Sequence, residues 1–281
     1  MPELPEVETV RRGLAPAMEG RRILRAELRR PDLRFPFPAR FSERVEGSIV
    51  SSLGRYAKFL TASLSSGETL IMHLGMTGRF TINDNATAAF KHNPGCDAKH
   101  DHVIFHLEDR TTITYNDPRR FGFMELWLTE TFDQYPRLKN LGPEPLSNNF
   151  NTDYLNTALA HKQTPIKTAL LDQGVIAGLG NIYVCEALYR AGISPKRSAA
   201  TVPGKRAERL TAAINAVISD AISAGGSSIS DFASAQGELG YFQHSFDVYD
   251  RENYPCAKCS GQIKRIVQAG RSTFFCSQCQ R

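Results

Sequence analysis

Cys256-Ala257-Lys258-Cys259 and Cys276-Ser277-Gln278-Cys279 place two C-x-x-C pairs, with sixteen residues between them, at the end of a chain of 281 residues. This is the spacing of a metal site rather than of a disulfide framework. Residues 263–267 and 273–275 read as two short strands with a turn at Gln268-Ala269-Gly270-Arg271, and such a hairpin brings the pairs together. Four thiolates with no open coordination position predict one structural, tetrahedral zinc ion, contributing about 10 kcal/mol to folding of the module. Around it, Lys258, Lys264, Arg265, Arg271 and Arg281 face Glu252 alone, a basic excess that survives the charge of four thiolates and a dication. Cys96 and Cys185 are isolated and carry no expected role.

Upstream the chain reads as helical. Pro136, Pro143, Pro145 and Ser147-Asn148-Asn149 mark a change of texture, and a division into 1–132, 133–250 and 251–281 is expected. Helices are predicted over 152–160, 165–172 and 182–191, then a long one over 205–224 in which Leu210, Ile214, Val217 and Ala221 share a face. A glycine-rich turn, Gln173 to Tyr183, joins two of them. It is no dinucleotide fingerprint, because the third glycine would fall at Tyr183 and no parallel β unit precedes it. Asn181 stands where a helix begins, either as a plain cap or where outward-pointing amides meet a phosphate. Residues 225–242 read as a long loop.

The first half reads as short strands over 23–28, 49–53, 56–64, 69–74, 103–107, 111–115 and 123–128, which suggests a two-layer β sandwich or a partly closed barrel. Residues 83–100 are polar and aperiodic, the pattern of a mobile surface loop. Lys58 alternates with apolar neighbours as a strand residue, either solvated or projecting into a groove. Two glycine-bounded turns follow. His73-Leu74-Gly75-Met76-Thr77-Gly78 carries a methionine at its tip, either a core gap-filler or an exposed side chain. Asn116-Asp117-Pro118-Arg119-Arg120-Phe121-Gly122 sets two arginines beside an aromatic ring, suited to phosphate contact and stacking, or simply a solvated basic turn with Phe121 tucked inward.

At the other end stands Met1-Pro2-Glu3-Leu4-Pro5-Glu6-Val7-Glu8. Pro5 predicts a helix start, with acids in the first turn and Arg11, Arg12 and Gly13 closing it; Leu4, Val7, Val10 and Leu14 share its buried face. A Met before the small residue Pro is expected to be removed, leaving Pro2 a secondary amine able to attack a sugar C1' and form an iminium directly. Glu3 and Glu6 would lie within one turn of it, placed for proton transfer. The 41% hydrophobic and 22% charged residues are those of an ordinary globular protein, and a net charge of +5 is compatible with nucleic acid but also with many enzymes of small anions. The absence of an apolar run of about 20 residues and of a signal-like amino terminus predicts a cytoplasmic protein.

Six separated motifs, P-E-L-P-E-V-E, Lys58, H-L-G-M-T-G, D-P-R-R-F-G, G-L-G-N-I-Y and the cysteine pairs, together resemble the bacterial formamidopyrimidine-DNA glycosylases over nearly the whole chain. The resemblance implies an α+β multidomain protein: an N-terminal two-layer β sandwich with an N-terminal helix, a helical helix-two-turn-helix domain, and a β-hairpin zinc finger. It implies a bifunctional DNA glycosylase and AP lyase that removes oxidised purines, chiefly 8-oxoguanine and formamidopyrimidines, by β,δ-elimination. Pro2, Glu3, Lys58 and Arg271 are then the catalytic residues, with Glu6 in support. Met76, Arg119 and Phe121 enter the duplex where the damaged base has left it, beside Arg120. Asn181 binds backbone phosphate, assisted by Lys167. The 225–242 loop closes over the everted base, and Ser230 stands where many members carry Lys or Arg. One zinc ion, held by Cys256, Cys259, Cys276 and Cys279, is the implied cofactor; damaged or abasic duplex DNA is the implied partner of a monomer. Two alternatives stay open: an endonuclease VIII type enzyme for oxidised pyrimidines, against which P-E-L-P-E-V-E rather than P-E-G-P-E argues, and a non-catalytic damage-binding zinc-finger protein.

Overall fold

Two antiparallel four-stranded sheets and an N-terminal helix share one apolar core in the first half of the chain. The computed structural model describes residues 2–83, 97–227 and 241–281. The helix α1 (Leu4–Met18) places Pro5 in its first turn, where the missing N–H has no helical partner to lose. It does not close near Gly13 but runs on through Pro16 to Met18. Pro inside a helix costs about 3 kcal/mol, whereas burying Leu14 and Met18, each at most 1% exposed, returns roughly 1.5–3 kcal/mol apiece. Burial outweighs the break.

The strands are β1 (Ile23–Leu28), β2 (Val50–Tyr56), β3 (Phe59–Leu64), β4 (Glu68–His73), β5 (Arg79–Asn83), β6 (Asp101–Leu107), β7 (Thr112–Asn116) and β8 (Phe123–Leu128), with the short helix α2 (Phe41–Val45) between β1 and β2. They form sheets of order β1-β6-β7-β5 and β2-β3-β4-β8, so the sandwich reading holds. Two details correct the expectation. The run 56–64 is not one strand, because Ala57 enters the left-handed region (φ 52°) and the chain reverses at Ala57-Lys58, pairing Tyr56 with Phe59. Strand β5 was not foreseen; in its Arg79-Phe80-Thr81-Ile82-Asn83 only Phe80 is fully buried, too faint an alternation to read.

Register explains why the two glycine-bounded turns meet. His73 at the end of β4 pairs with Phe123 at the start of β8, while Arg79 at the start of β5 pairs with Asn116 at the end of β7. Both connections, 74–78 and 117–122, therefore cross between the same two sheets at the same edge.

The later helices are α3 (Thr152–Leu159), α4 (Ile166–Leu171), α5 (Asn181–Ala191) and α6 (Lys205–Ser223), close to the expected spans. Leu210, Ile214, Val217 and Ala221 of α6 are fully buried. The terminal hairpin is β9 (Ile263–Gln268) and β10 (Arg271–Cys276), joined by Ala269-Gly270 with φ of 47° and 72°, the left-handed pair that a two-residue turn of type I′ requires. Its core joins Ile263, Phe274 and Cys276 to Cys185 and Tyr189 of α5. Cys185 is thus a small buried packing residue. By their contacts the residues separate into two units, Met1–Lys139 with Gly225–Tyr241, and Asn140–Ala224 with Phe242–Arg281. The expected mobile loop at 83–100 lies mostly outside the described residues, within which Ala98–His100 form a short 3-10 turn; Ser230 also lies outside them.

Candidate active site

The first turn of α1 collects buried acids. Glu3 is 3% exposed and Glu6 2%, beside a buried Pro2. Glu3 occupies the N-cap position and Glu6 the third helical position, a capping box built from two glutamates. Glu6 accepts the Glu3 amide at 2.8 Å on one oxygen, and the Ser227 amide and hydroxyl, each at 2.9 Å, on the other. Gly226 (φ 77°) permits this approach, since a Cβ there would lie 3.2 Å from the Glu6 side chain. Carboxylates are favoured at this helix end, where four backbone amides lack helical partners. One turn further, Glu8 binds Arg11 and Arg12, with Arg55 of β2 at 3.3 Å. Although burial raises its pKa, the guanidinium hydrogen bonds and charges prevail and hold it at about 2. This ion cluster fixes α1 to β2.

Lys58 lies in the β2–β3 turn rather than within a strand and is 7% exposed. Its charge reaches His73: burial first, then Lys58, Arg34 and Arg137, lower the His73 pKa to about 4. Neutral at physiological pH, His73 accepts the Gly75 amide on Nδ1 at 3.0 Å and stacks on Phe123 with ring centroids 5.2 Å apart. It thereby shapes the start of the methionine turn, a role the sequence did not reveal.

The two turns present Met76 (39% exposed) and Phe121 (43% exposed) together, with the Arg119 guanidinium 4.6 Å from the Phe121 ring centroid. Phe121 is not tucked inward. Gly75 is required here, because a Cβ on it would fall 2.3 Å from the Phe121 carbonyl carbon. Arg120, in the left-handed region (φ 56°), faces Asp32 at 3.8 Å. Arg34, Arg119, Arg120, Met76 and Phe121 line a cleft of about 560 Å³. Apolar tips flanked by guanidinium groups suit insertion into a base stack: the tips fill the gap and the cations satisfy phosphate or an unpaired base.

In the second unit Asn181 is the first residue of α5, following Gly180 at the N-cap. Its amide donates to the Ser272 carbonyl at 3.0 Å. Lys167, expected to assist with phosphate, is instead fully buried, its ammonium donating to the same carbonyl at 2.8 Å and to the Thr273 hydroxyl at 2.7 Å. It is a strut, because an ammonium with no exposed surface cannot reach a ligand in solution. Both side chains hold the hairpin next to Arg271, whose own side chain is exposed at the tip.

The four cysteine sulfurs lie within 4.8 Å of one another, with Cys256 and Cys279 at 3.8 Å and Cys259 and Cys276 at 3.5 Å. Tetrahedral coordination at about 2.3 Å puts sulfurs roughly 3.8 Å apart, so the cluster fits zinc. Its electrostatics agree. Cys256, despite burial, is lowered to about 6 by the Tyr189 hydroxyl and nearby amides, while Cys279 is pushed up to about 12 by the neighbouring sulfur of Cys259 and by burial. Four thiolates this close require a dication.

Comparison with known proteins agrees with this arrangement throughout the chain. Residues 1–124 match the formamidopyrimidine-DNA glycosylase N-terminal domain, residues 141–233 the formamidopyrimidine-DNA glycosylase H2TH domain, and residues 255–281 a zinc finger found in FPG and IleRS. A formamidopyrimidine-DNA glycosylase of Ruegeria pomeroyi is 59% identical over 283 residues, with 100% of both chains covered. The crystal structure of the MutM (Fpg) protein of Thermus thermophilus superposes with a TM-score of 0.86 at 38% identity, covering 99% of this chain and 98% of that one. Lactococcus lactis Fpg, in complex with DNA containing an abasic site, gives a TM-score of 0.88 at 32% identity, covering 99% of each chain. Other structures of that protein hold DNA containing N7-benzyl-Fapy-dG or an oxidised pyrimidine. With its three parts in order and its full length matched, the chain belongs to the formamidopyrimidine-DNA glycosylase family.

Proposed function

We propose that Pro2 is the nucleophile and Glu3 the proton carrier of this chain's reaction. The protein is a DNA glycosylase and AP lyase of base excision repair, acting on duplex DNA that contains oxidised purines or abasic sites, and it holds one structural zinc ion. The observation that carries the assignment is the burial of Pro2 beside two acids on the first turn of α1. Glu6 is occupied by Glu3 and Ser227 donors and serves as a tether. Glu3, whose own side chain accepts the Glu6 amide at the N-cap, is the acid adjacent to Pro2 in the chain.

With Met1 removed, the Pro2 nitrogen forms a bond to C1' as the bond to the damaged base breaks, and the proton that the secondary amine gives up balances the one the departing base takes. Glu3 protonates the sugar ring oxygen as the ring opens, giving an iminium. That cation withdraws electrons, so loss of a C2' proton expels the 3' phosphate and a second elimination expels the 5' phosphate. Lys58 and Arg271 bind those phosphates. Met76, Arg119 and Phe121 fill the space left by the extruded nucleotide, with Arg120 alongside, and the amino end of α5 at Asn181 offers amides to backbone phosphate. Residues 1–132 contribute nucleophile and wedge, 133–250 the phosphate-binding helices, and 251–281 the zinc module. Among the described residues no helix is long and apolar enough to cross a membrane. A substrate in bacterial DNA supports a cytoplasmic location, and we read the protein as acting as a monomer.

Base release from duplexes carrying 8-oxoguanine, Fapy-guanine or an oxidised pyrimidine tests the lesion class. Faster release of the two purines is expected; preferential release of the pyrimidine would favour the endonuclease VIII type reading, which the oxidised-pyrimidine complex of the Lactococcus lactis protein makes worth testing. For the hairpin, Arg271→Ala should weaken binding to damaged and undamaged duplex alike and reduce the slope of log K against log salt by about 1. An unchanged slope would count against a phosphate contact there.

A further inference from the structure

Asp117 is fully buried although it sits in the exposed arginine turn, and its carboxylate bonds to both turns at once. One oxygen accepts the Thr77 hydroxyl of the methionine turn at 2.5 Å; the other accepts the Gly122 amide at 2.9 Å and the Tyr115 hydroxyl at 3.3 Å. Thr77 then passes the connection back, its oxygen accepting the Arg119 amide at 3.3 Å. The Asp117 carbonyl is held separately by His102 Nε2 at 2.9 Å and the Arg120 amide at 3.2 Å, so the turn has its own backbone closure without the carboxylate. What the carboxylate adds is the link between turns.

The positions of these bonds matter. Met76 is bracketed by Gly75, whose backbone packs on Phe121 and Gly122, and by Thr77, which bonds Asp117. Arg119 and Phe121 are bracketed by Asp117 and Gly122. We propose that Asp117, through Thr77, is a positioning residue that joins the two turns into one rigid wedge, so that Met76, Arg119 and Phe121 enter the base stack as a unit. The proposal rests on the wedge reading above. Apolar tips on separate loops would each lose conformational freedom on insertion, whereas tips already fixed to one another lose little more, and misplacement of about 1 Å can cost 10²-fold in rate.

Thr77→Val keeps the shape of the threonine and removes both of its bonds; Asp117→Ala removes the carboxylate; Asp117→Asn retains the link, since the Thr77 hydroxyl can accept from the amide while Gly122 donates to the remaining oxygen. Three readouts separate positioning from a general loss of structure: base release from duplex 8-oxoguanine, eversion followed by 2-aminopurine fluorescence beside the lesion, and cleavage at an abasic site in single strands, which have no duplex to open. Thr77→Val and Asp117→Ala are expected to slow base release and eversion by about 10- to 100-fold, with a much smaller loss on single strands, and Asp117→Asn to recover most of the rate. Equal losses in all three assays, or no loss in either disruptive variant, would overturn the clamp. Phe121→Ala run in parallel tells the two ideas apart. If it slows eversion while Thr77→Val and Asp117→Ala do not, the clamp fails; if it spares eversion, the wedge reading itself fails.

Discussion

Changing Cys276 to serine is expected to abolish zinc binding and, with it, tight binding to DNA. Cys276 is fully buried, within 3.5 Å of the Cys259 sulfur, and belongs to the small apolar cluster of Ile263, Phe274, Cys185 and Tyr189. A segment of this size cannot bury enough surface to fold alone, and zinc supplies on the order of 10 kcal/mol. Losing one ligand in four forfeits most of that. The hairpin then leaves the Asn181 and Lys167 donors that hold Ser272, and Arg271 loses its fixed place. Metal analysis should fall from one zinc per chain to none, affinity for duplex should drop by two orders of magnitude or more, and the first unit should keep its β-sheet circular dichroism. A zinc-free variant that binds duplex normally would show that the hairpin does not depend on the metal.

The second large effect concerns Glu3. Glutamine has nearly the same shape and can still occupy the N-cap, so Glu3→Gln should fold; it cannot donate the proton that opens the sugar ring. General acid catalysis contributes roughly 10²- to 10⁴-fold, and base release should fall by that amount. An abasic site whose sugar is already an open aldehyde needs no ring opening, and the oxygen lost as water when Pro2 forms the iminium can take its protons from the amine and from solvent, so strand cleavage there should fall by less than about tenfold. Equal loss on both substrates would place Glu3 in structure or binding instead of proton transfer. Thermal unfolding of the variant provides the control, since Glu3 is 3% exposed and a cap can contribute about 1 kcal/mol.

The sequence disclosed the elements whose signals are local. Cysteine spacing located the metal cluster because two C-x-x-C pairs on a short hairpin have few ways to meet, and helical periodicity located α3 to α6 within a few residues. It misjudged features decided by tertiary context. The α1 helix outlasts Gly13 and Pro16 because Leu14 and Met18 have a core to enter, which no local rule shows. The Ala57-Lys58 reversal carries no glycine and so gave no turn signal. Lys167, which the resemblance implied as a phosphate contact, is buried beneath the hairpin by partners more than 100 residues away in the chain. Asp117 and His73 lie inside motifs already noticed, yet Asp117 works through Thr77, 40 residues away, across turns that only the register of β4 with β8 and β5 with β7 brings together, and His73 stacks on Phe123, its partner in that register. The identity of the nucleophile is a different matter: it came from resemblance, and the fold is consistent with it by burying Pro2 beside two acids.

Borohydride reduction during reaction with duplex containing 8-oxoguanine opposite cytosine, using protein whose intact mass shows Met1 removed, tests the central claim most directly. Reduction of the iminium would leave a stable covalent protein–DNA adduct, and peptide mapping should place it on Pro2. An adduct on a lysine such as Lys58, or none despite tight binding to the same duplex, would contradict the assignment of Pro2 as nucleophile.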